Sequence, residues 1–236
     1  LKHKNTRTLK QKYKNTEILT AGVKLTPDDN GSLVAIDEDG VTFKSYIDGS
    51  THRFTPESSI EIQHKLGADI IMAFDECTPD TADETYTREA MERTHRWALR
   101  SLQAHQPYNH IAIKPYREFL FGIIQGANFK HLRKESAKFI SSLDFDGIAI
   151  GGESIGYNMA ATKDILDWVR PLIPENKPHY TMGVGYSPLD LFEVVERGID
   201  MFDCAAPTRV ARNGTLYVGQ EKINIHNAQF RADKNP

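Results

Sequence analysis

The chain has 236 residues, of which 39% are apolar and 26% charged, with a formal net charge of -3. These values describe a folded globular protein, exclude a disordered one, and argue against a nonspecific grip on nucleic acid by the whole surface. Two cysteines exclude a disulfide framework and fall short of a four-ligand zinc site, and no apolar run approaches the ~20 residues that cross a bilayer, so a cytoplasmic location is expected.

Residues 1–32 carry Lys2, Lys4, Arg7, Lys10, Lys12 and Lys14, with no acid before Glu17 and weak periodicity. The segment reads as a basic extension, either a solvated end or an arm that binds a polyanion, set apart from a main domain over residues 33–236. It is basic without the apolar core of a secretory signal. Residues 32–54 then alternate: Val34, Ile36, a turn at Asp37-Glu38-Asp39-Gly40, Val41, Phe43, Tyr46 and a second turn at Asp48-Gly49. That pattern predicts β-hairpins. Thr55-Pro56-Glu57 supplies an N-cap, a first-turn proline and a first-turn acid, predicting a helix to about Leu66 that stops at Gly67.

A strand–helix rhythm follows. Ile70 to Phe74 is apolar and stops at Asp75, before a helix from about Thr87 to Ala104 with Met91, Ala98 and Leu102 on one face. Phe119 to Ile124 stops at Gln125-Gly126, before a helix from about Lys130 to Ser142. Gly147 to Ile150 stops at Gly151-Gly152, before a helix from about Met159 that Pro171 disturbs. Tyr180 to Met182 leads to Gly183-Val184-Gly185, and Ser187, Pro188 and Asp190 cap a helix expected to point Leu191, Phe192 and Val195 inward and to end at Gly198. Met201-Phe202 stops at Asp203, and Thr215 to Phe230 reads as a terminal hairpin.

Short apolar runs without alternation fit strands covered on both faces. The class is therefore α/β: either a (β/α)8 TIM-like barrel, incomplete with five units, or a doubly wound sheet. In both, ligands sit at the carboxyl ends of the strands. Here those ends are Asp75, Gln125, Gly152, Gly183 and Asp203, a set that an inert barrel bottom would not show.

The stretch from Gly198 to Gly214 concentrates the chemistry, with Asp203 at a strand end and Arg209 and Arg212 close behind. The guanidiniums suit an anionic ligand such as phosphate; the alternative is a structural salt bridge from Asp203 to Arg209. Asp75 and Asp203 at one mouth suit glycosyl chemistry, one acid meeting an anomeric carbon while the other handles a proton or accepts hydrogen bonds from a ligand. A carboxylate beside the Gln125 carboxamide also suits the polar edge of a purine. Gly183-Val184-Gly185 either offers amides to a phosphate or makes a tight turn. No GxGxxG or GxxxxGK[ST] occurs, and no HExxH or His–Cys cluster. His95 reads as a packing residue, and Cys77 and Cys204 as small buried fillers.

The runs FDECTP (74–79), LFGIIQGA (120–127), IGG (150–152), MGVG (182–185), GIDMFDC…PTRVARNG (198–214) and INIHNAQF (223–230) together resemble tRNA-guanine transglycosylases of the bacterial type. The resemblance covers the chain from about Gly40 onward. It implies an incomplete (β/α)8 barrel and a pentosyltransferase that exchanges guanine at the anticodon wobble position of tRNA for a 7-deazaguanine of the preQ1 or queuine type, in queuosine biosynthesis. It implies that Asp203 is the nucleophile on ribose C1′ and that Asp75, Gln125 and the Gly152 backbone hold the base. Met182 and Gly183 would pack at the base or its ribose, and Thr208, Arg209 and Arg212 would meet the anticodon loop. It further implies flipping of the target nucleotide and a homodimer, and leaves open a non-catalytic tRNA-binding subunit as the alternative. An unrelated barrel enzyme acting on a sugar phosphate is a third reading, supported only by the glycine-rich strand ends.

Three departures accompany the resemblance. The family's second catalytic acid lies in an Asp-Ser-Gly-Gly-Phe-Gln run that is not in this sequence. Its zinc ligands, three cysteines and a histidine, follow the region where this sequence stops at Asn235-Pro236. After Gly152 the family reads Leu-Ala-Val-Gly-Glu, its glutamate recognising an aminomethyl group on the incoming base; here Glu153-Ser154-Ile155-Gly156-Tyr157 stands instead, with Glu153 a candidate substitute. The chain is accordingly expected to be the central and later part of a longer enzyme, and not to turn over alone.

Overall fold

The computed structural model describes residues 33–110, 117–219 and 221–232, together with the backbone of two short paired strands, β1 (Leu19–Thr20) and β2 (Val23–Lys24). The rest of the basic 1–32 segment and its proposed role lie outside the described residues. Next comes an antiparallel sheet of β3 (Val34–Ile36), β4 (Val41–Lys44) and β5 (Thr51–Phe54). Helix α1 (Pro56–Leu66) follows as the local chemistry dictates. Thr55 and Ser58 form a reciprocal capping box, and Gly67 ends the helix at φ 79°, a conformation that glycine adopts without a Cβ penalty.

Five parallel strands then form the central sheet: β6 (Ile70–Met72), β7 (Phe119–Ile124), β8 (Gly147–Ile150), β9 (His179–Thr181) and β10 (Met201–Phe202). Their spatial order, β10-β9-β8-β7-β6, is their chain order reversed, each strand pairing in parallel with its sequence neighbour. The sheet curls into half of a barrel. Connections are made by α2 (Glu84–His105), α3 (Lys130–Ser141), α4 (Met159–Val169) with a 3₁₀ turn at Arg170–Leu172, and α5 (Pro188–Val195). A short helix α6 (Ala206–Ala211) follows β10, and β11 (Thr215–Val218) pairs antiparallel with β12 (Glu221–Asn224).

The core lies between sheet and helices, with Ile71, Leu120, Ile124, Ile148 and Ile150 from the strands against Ala98, Ala137, Ile140, Ile165, Val169 and Val194 from the helices. Two strand glycines make room for rings. A Cβ on Gly122 would lie 2.6 Å from Phe145 Cε2, and one on Gly147 would lie 2.5 Å from the Phe121 ring. Edge strand β6 is finished by a side chain instead of a strand: Gln63 donates to the Met72 carbonyl at 2.9 Å and accepts from the Met72 amide at 2.8 Å. One carboxamide thereby satisfies both backbone groups of an edge position that would otherwise stay open.

Two expectations need correction. Helix α2 begins at Glu84 rather than Thr87, because Asp83 accepts from the Tyr86 amide and caps it before its apolar period is visible. On α5, Val194 is buried and Leu191 partly so, but Phe192 and Val195 are 68% and 53% exposed. The helix carries apolar residues on more than one face, and the described residues cover only one of them. In the terminal hairpin Leu216 and Val218 point to solvent, while Thr215 and Tyr217 are the half-buried pair.

Candidate active site

The carboxyl ends of the five strands line up, in sheet order, as Asp203, Gly183, Gly152, Gln125 and Asp75. Each is held by identifiable bonds. Asp75 sits between two backbone anchors on α2: the Phe74 amide donates to Ser101 Oγ at 3.1 Å and the Glu76 amide to Thr94 Oγ1 at 3.0 Å. Glu76 itself is buried and pairs with Arg93 and with the Tyr86 hydroxyl. The Gln125 amide donates to Ser136 Oγ on α3, which also bonds His95 Nε2. His95 is the packing residue expected: buried, stacked on Phe139 with ring centroids 4.2 Å apart, and held neutral by burial, its pKa pushed down to about 4.

Asp75 and Gln125 meet directly, Gln125 Nε2 donating to Asp75 Oδ2 at 2.7 Å. Burial pushes the Asp75 pKa from 3.8 up to about 6; the Gln125 hydrogen bond opposes that shift and the charge on Glu76 adds to it. Gln125 Oε1 is buried without a partner. An acceptor left unsatisfied in a wall costs about 1–3 kcal/mol. Gln125 Nε2 keeps a second N–H that can donate to a ligand oxygen, while the Asp75 carboxylate can accept from ligand N–H groups. Gly151 brings β8 close, since a Cβ there would lie 2.5 Å from Gln125 Nε2. Gly152, at φ 129°, lies beside them, its carbonyl accepting from the Ile155 amide at 3.2 Å and its amide turned to the Cys77 thiol.

At the other edge Asp203 is exposed, not packed among apolar groups. Its Oδ1 accepts from the Tyr180 hydroxyl at 2.5 Å and from the Gly183 amide at 3.0 Å. The Tyr180 pKa is pushed up by burial and by the Asp203 carboxylate, so the phenol remains a donor at neutral pH. The salt bridge from Asp203 to Arg209 does not form: Arg209 donates to the Tyr186 hydroxyl at 3.1 Å. The Gly183 amide is thus committed to Asp203 and not held out for a phosphate. Met182 is half-buried beside it, and Thr208, Arg209 and Arg212 are exposed on and just after α6.

The structure groups Asp75, Gln125 and Gly152 toward one edge, and Asp203 with Gly183 at the other. Sequence reasoning missed Tyr180; its only signal was a hydroxyl-bearing residue in a short apolar strand. Glu153 accepts from the Asp80 amide at 2.6 Å, so it braces the loop after Asp75. Cys77 is exposed and Cys204 half-buried, against the expectation of two buried fillers, because both sit just past strand ends where the sheet opens. They stand at opposite edges of the sheet, and among the described residues no group of three or more His, Cys, Asp or Glu is placed to hold a metal. The residues present therefore do not fit the zinc that the resemblance implies. No helix among the described residues is long and apolar enough to cross a membrane.

The family described as Queuine tRNA-ribosyltransferase matches residues 11–236. The chain belongs to that family. Curated relatives named queuine tRNA-ribosyltransferase include one from Herpetosiphon aurantiacus, 54% identical over 201 residues that make up 85% of this chain and 49% of the relative. Another, from Enterococcus faecalis, is 49% identical over 201 residues, 85% of this chain and 51% of the relative. A third, from Symbiobacterium thermophilum, is 49% identical over 204 residues, 86% of this chain and 49% of the relative. The chain spans about half the length of the curated relatives it matches.

Proposed function

We propose that this chain carries the base-reading wall and the nucleophile of a tRNA-guanine transglycosylase acting in queuosine synthesis. Family membership supports the reaction class, and the strand-end geometry supports the roles. At the β6–β7–β8 ends, the Asp75 carboxylate accepts from guanine N1–H and the 2-amino group, while the Gln125 carboxamide and the Gly152 backbone face the 6-oxygen. At the β10 end, Asp203 is solvent-accessible and oriented by Tyr180 and Gly183.

In the step this arrangement suits, an Asp203 oxygen bonds to ribose C1′ as the C1′–N9 bond breaks, and the electron pair of the broken bond leaves with guanine, which takes a proton from water on N9. The incoming 7-deazaguanine then attacks C1′ through N9, loses its N9 proton, and frees the carboxylate. Reaching C1′ requires the wobble nucleotide to leave its stack. Arg209 and Arg212, exposed beyond Asp203, are assigned to the phosphates of the anticodon loop.

The observation that carries this reading is the exposed, hydrogen-bonded Asp203 on the same curled sheet as the Asp75–Gln125 pair. Its test is covalent trapping. The full-length protein, incubated with an anticodon stem-loop carrying guanosine at the wobble position, yields an RNA adduct that survives denaturing electrophoresis and is absent for Asp203→Asn. Binding of the stem-loop without any adduct in the parent protein would instead identify a non-catalytic tRNA-binding subunit.

A further inference from the structure

Arg133, on α3, is fully buried, and no ion pair with a carboxylate is found for it among the described residues. Burying an unpaired guanidinium is costly, so a side chain kept there must return something through its hydrogen bonds. It donates to three backbone carbonyls. Nη1 reaches the Gly151 oxygen at 2.6 Å and the Ile124 oxygen at 3.1 Å, and Nε reaches the Ala127 oxygen at 2.7 Å. Those carbonyls belong to the residue before Gln125, the residue before Gly152, and the turn after Gln125. Ala127 holds φ 43°, the one non-glycine among the described residues with positive φ, so its turn is strained and Arg133 ties it down.

The fourth contact is steric. A Cβ on Gly152 would fall on Arg133 Nη2, which is buried with no hydrogen-bond partner. The guanidinium thus lies directly behind the Gly152 backbone and leaves no room for a side chain pointing back into the sheet.

Building on the reading of Asp75, Gln125 and Gly152 as the base-binding wall, we propose that Arg133 is a positioning residue for base recognition. It staples the ends of β7 and β8 so that the Gln125 carboxamide and the Gly152 backbone meet the same oxygen of a purine. Arginine suits this task because its planar fork serves several acceptors in fixed directions, which lysine cannot do. Burial lowers its pKa to about 10, which still leaves it protonated at neutral pH.

The test measures binding of guanine and of 6-thioguanine by titration calorimetry to the full-length protein and to Arg133→Met and Arg133→Lys. 6-Thioguanine keeps the N1–H and the 2-amino group that Asp75 reads and replaces the 6-oxygen by sulfur, a weak acceptor. Arg133→Met is expected to weaken guanine binding at least tenfold and to leave 6-thioguanine within about twofold, with Arg133→Lys recovering only part of the loss. A merely structural arginine would lower the unfolding temperature and either spare both ligands or weaken them in parallel. Either of those results overturns the proposal. If Arg133→Met fails to fold, Arg133→Lys alone makes the same comparison. Failure of the parent protein to bind guanine would overturn the base-binding wall itself, and this inference with it.

Discussion

Asp75→Asn separates stability from recognition at one atom. In the free protein the carboxylate is desolvated, and its pKa stands at about 6 against an ordinary 3.8. A displacement of that size corresponds to about 3 kcal/mol of penalty on the ionised form. The sign follows from proton binding. Between pH 3.8 and about 6 the unfolded chain has lost this proton while the folded protein keeps it, so stability falls as pH rises through that window. Above it both states are ionised and the full penalty is present. Asparagine carries no charge and still accepts from Gln125 through its side-chain oxygen. The variant should therefore match the parent below pH 4 and exceed it by about 2–3 kcal/mol at pH 7–8. For a chain of this size that is on the order of 5 °C in unfolding temperature. The same change removes the acceptor for two purine N–H groups, so guanine binding should weaken by about a hundredfold or more. Paired thermal melts from pH 4 to 8 and a guanine titration at pH 7.5 decide the matter. A stability difference independent of pH, or an asparagine variant less stable than the parent at pH 8, would refute the assignment of a desolvated carboxylate.

Other outcomes follow from the same geometry. Tyr180→Phe deletes the hydroxyl that holds Asp203 Oδ1 at 2.5 Å, and should slow formation of the covalent RNA adduct by about tenfold in single-turnover assays without changing stem-loop affinity. Arg209→Ala and Arg212→Ala should each lower stem-loop affinity and reduce the slope of log affinity against log salt by about 0.7–1, read by fluorescence anisotropy across a salt series. Gly122→Ala would force a methyl to within 2.6 Å of Phe145 Cε2 and 2.8 Å of Ile140 Cγ2, and should destabilise the protein by roughly 1–3 kcal/mol or more in chemical denaturation.

The parts of the site that could be read from the sequence are those where polarity breaks hydrophobic order. An acid or amide directly after a short apolar run stands out, which is why Asp75, Gln125 and Asp203 were legible as strand ends. Helix α1 was legible for a different reason: Thr55, Pro56 and Gly67 are local punctuation whose meaning does not depend on tertiary structure. What stayed hidden depends on burial. Arg133 sits among Lys130, Lys134 and Glu135 and reads as one more solvated charge, yet it is fully enclosed. Gln63 looks like a helix-surface residue, and its pairing with the edge of β6 is visible only in three dimensions. Tyr180 lies within a strand, where alternation cannot say whether its hydroxyl finds an acid across the neighbouring strand. Helix α6 is too short for any period to register, and the apolar residues of α5 satisfy a helical period in more than one orientation.

The order of the strands explains why curl matters to this site. Asp75 and Asp203 follow the two edge strands, four inter-strand steps apart. At about 4.8 Å per step a flat sheet would separate their anchoring positions by roughly 19 Å, longer than a purine nucleoside. A base read at β6–β8 and a sugar attacked from β10 can belong to one nucleoside only if the sheet bends its carboxyl ends toward each other, as the half-barrel does. The close packing around these strands is sequence-encoded. Gly122 and Gly147 admit the Phe145 and Phe121 rings, Gly151 and Gly152 admit Gln125 and Arg133 against the backbone, and the Gly183 amide bridges β9 to Asp203.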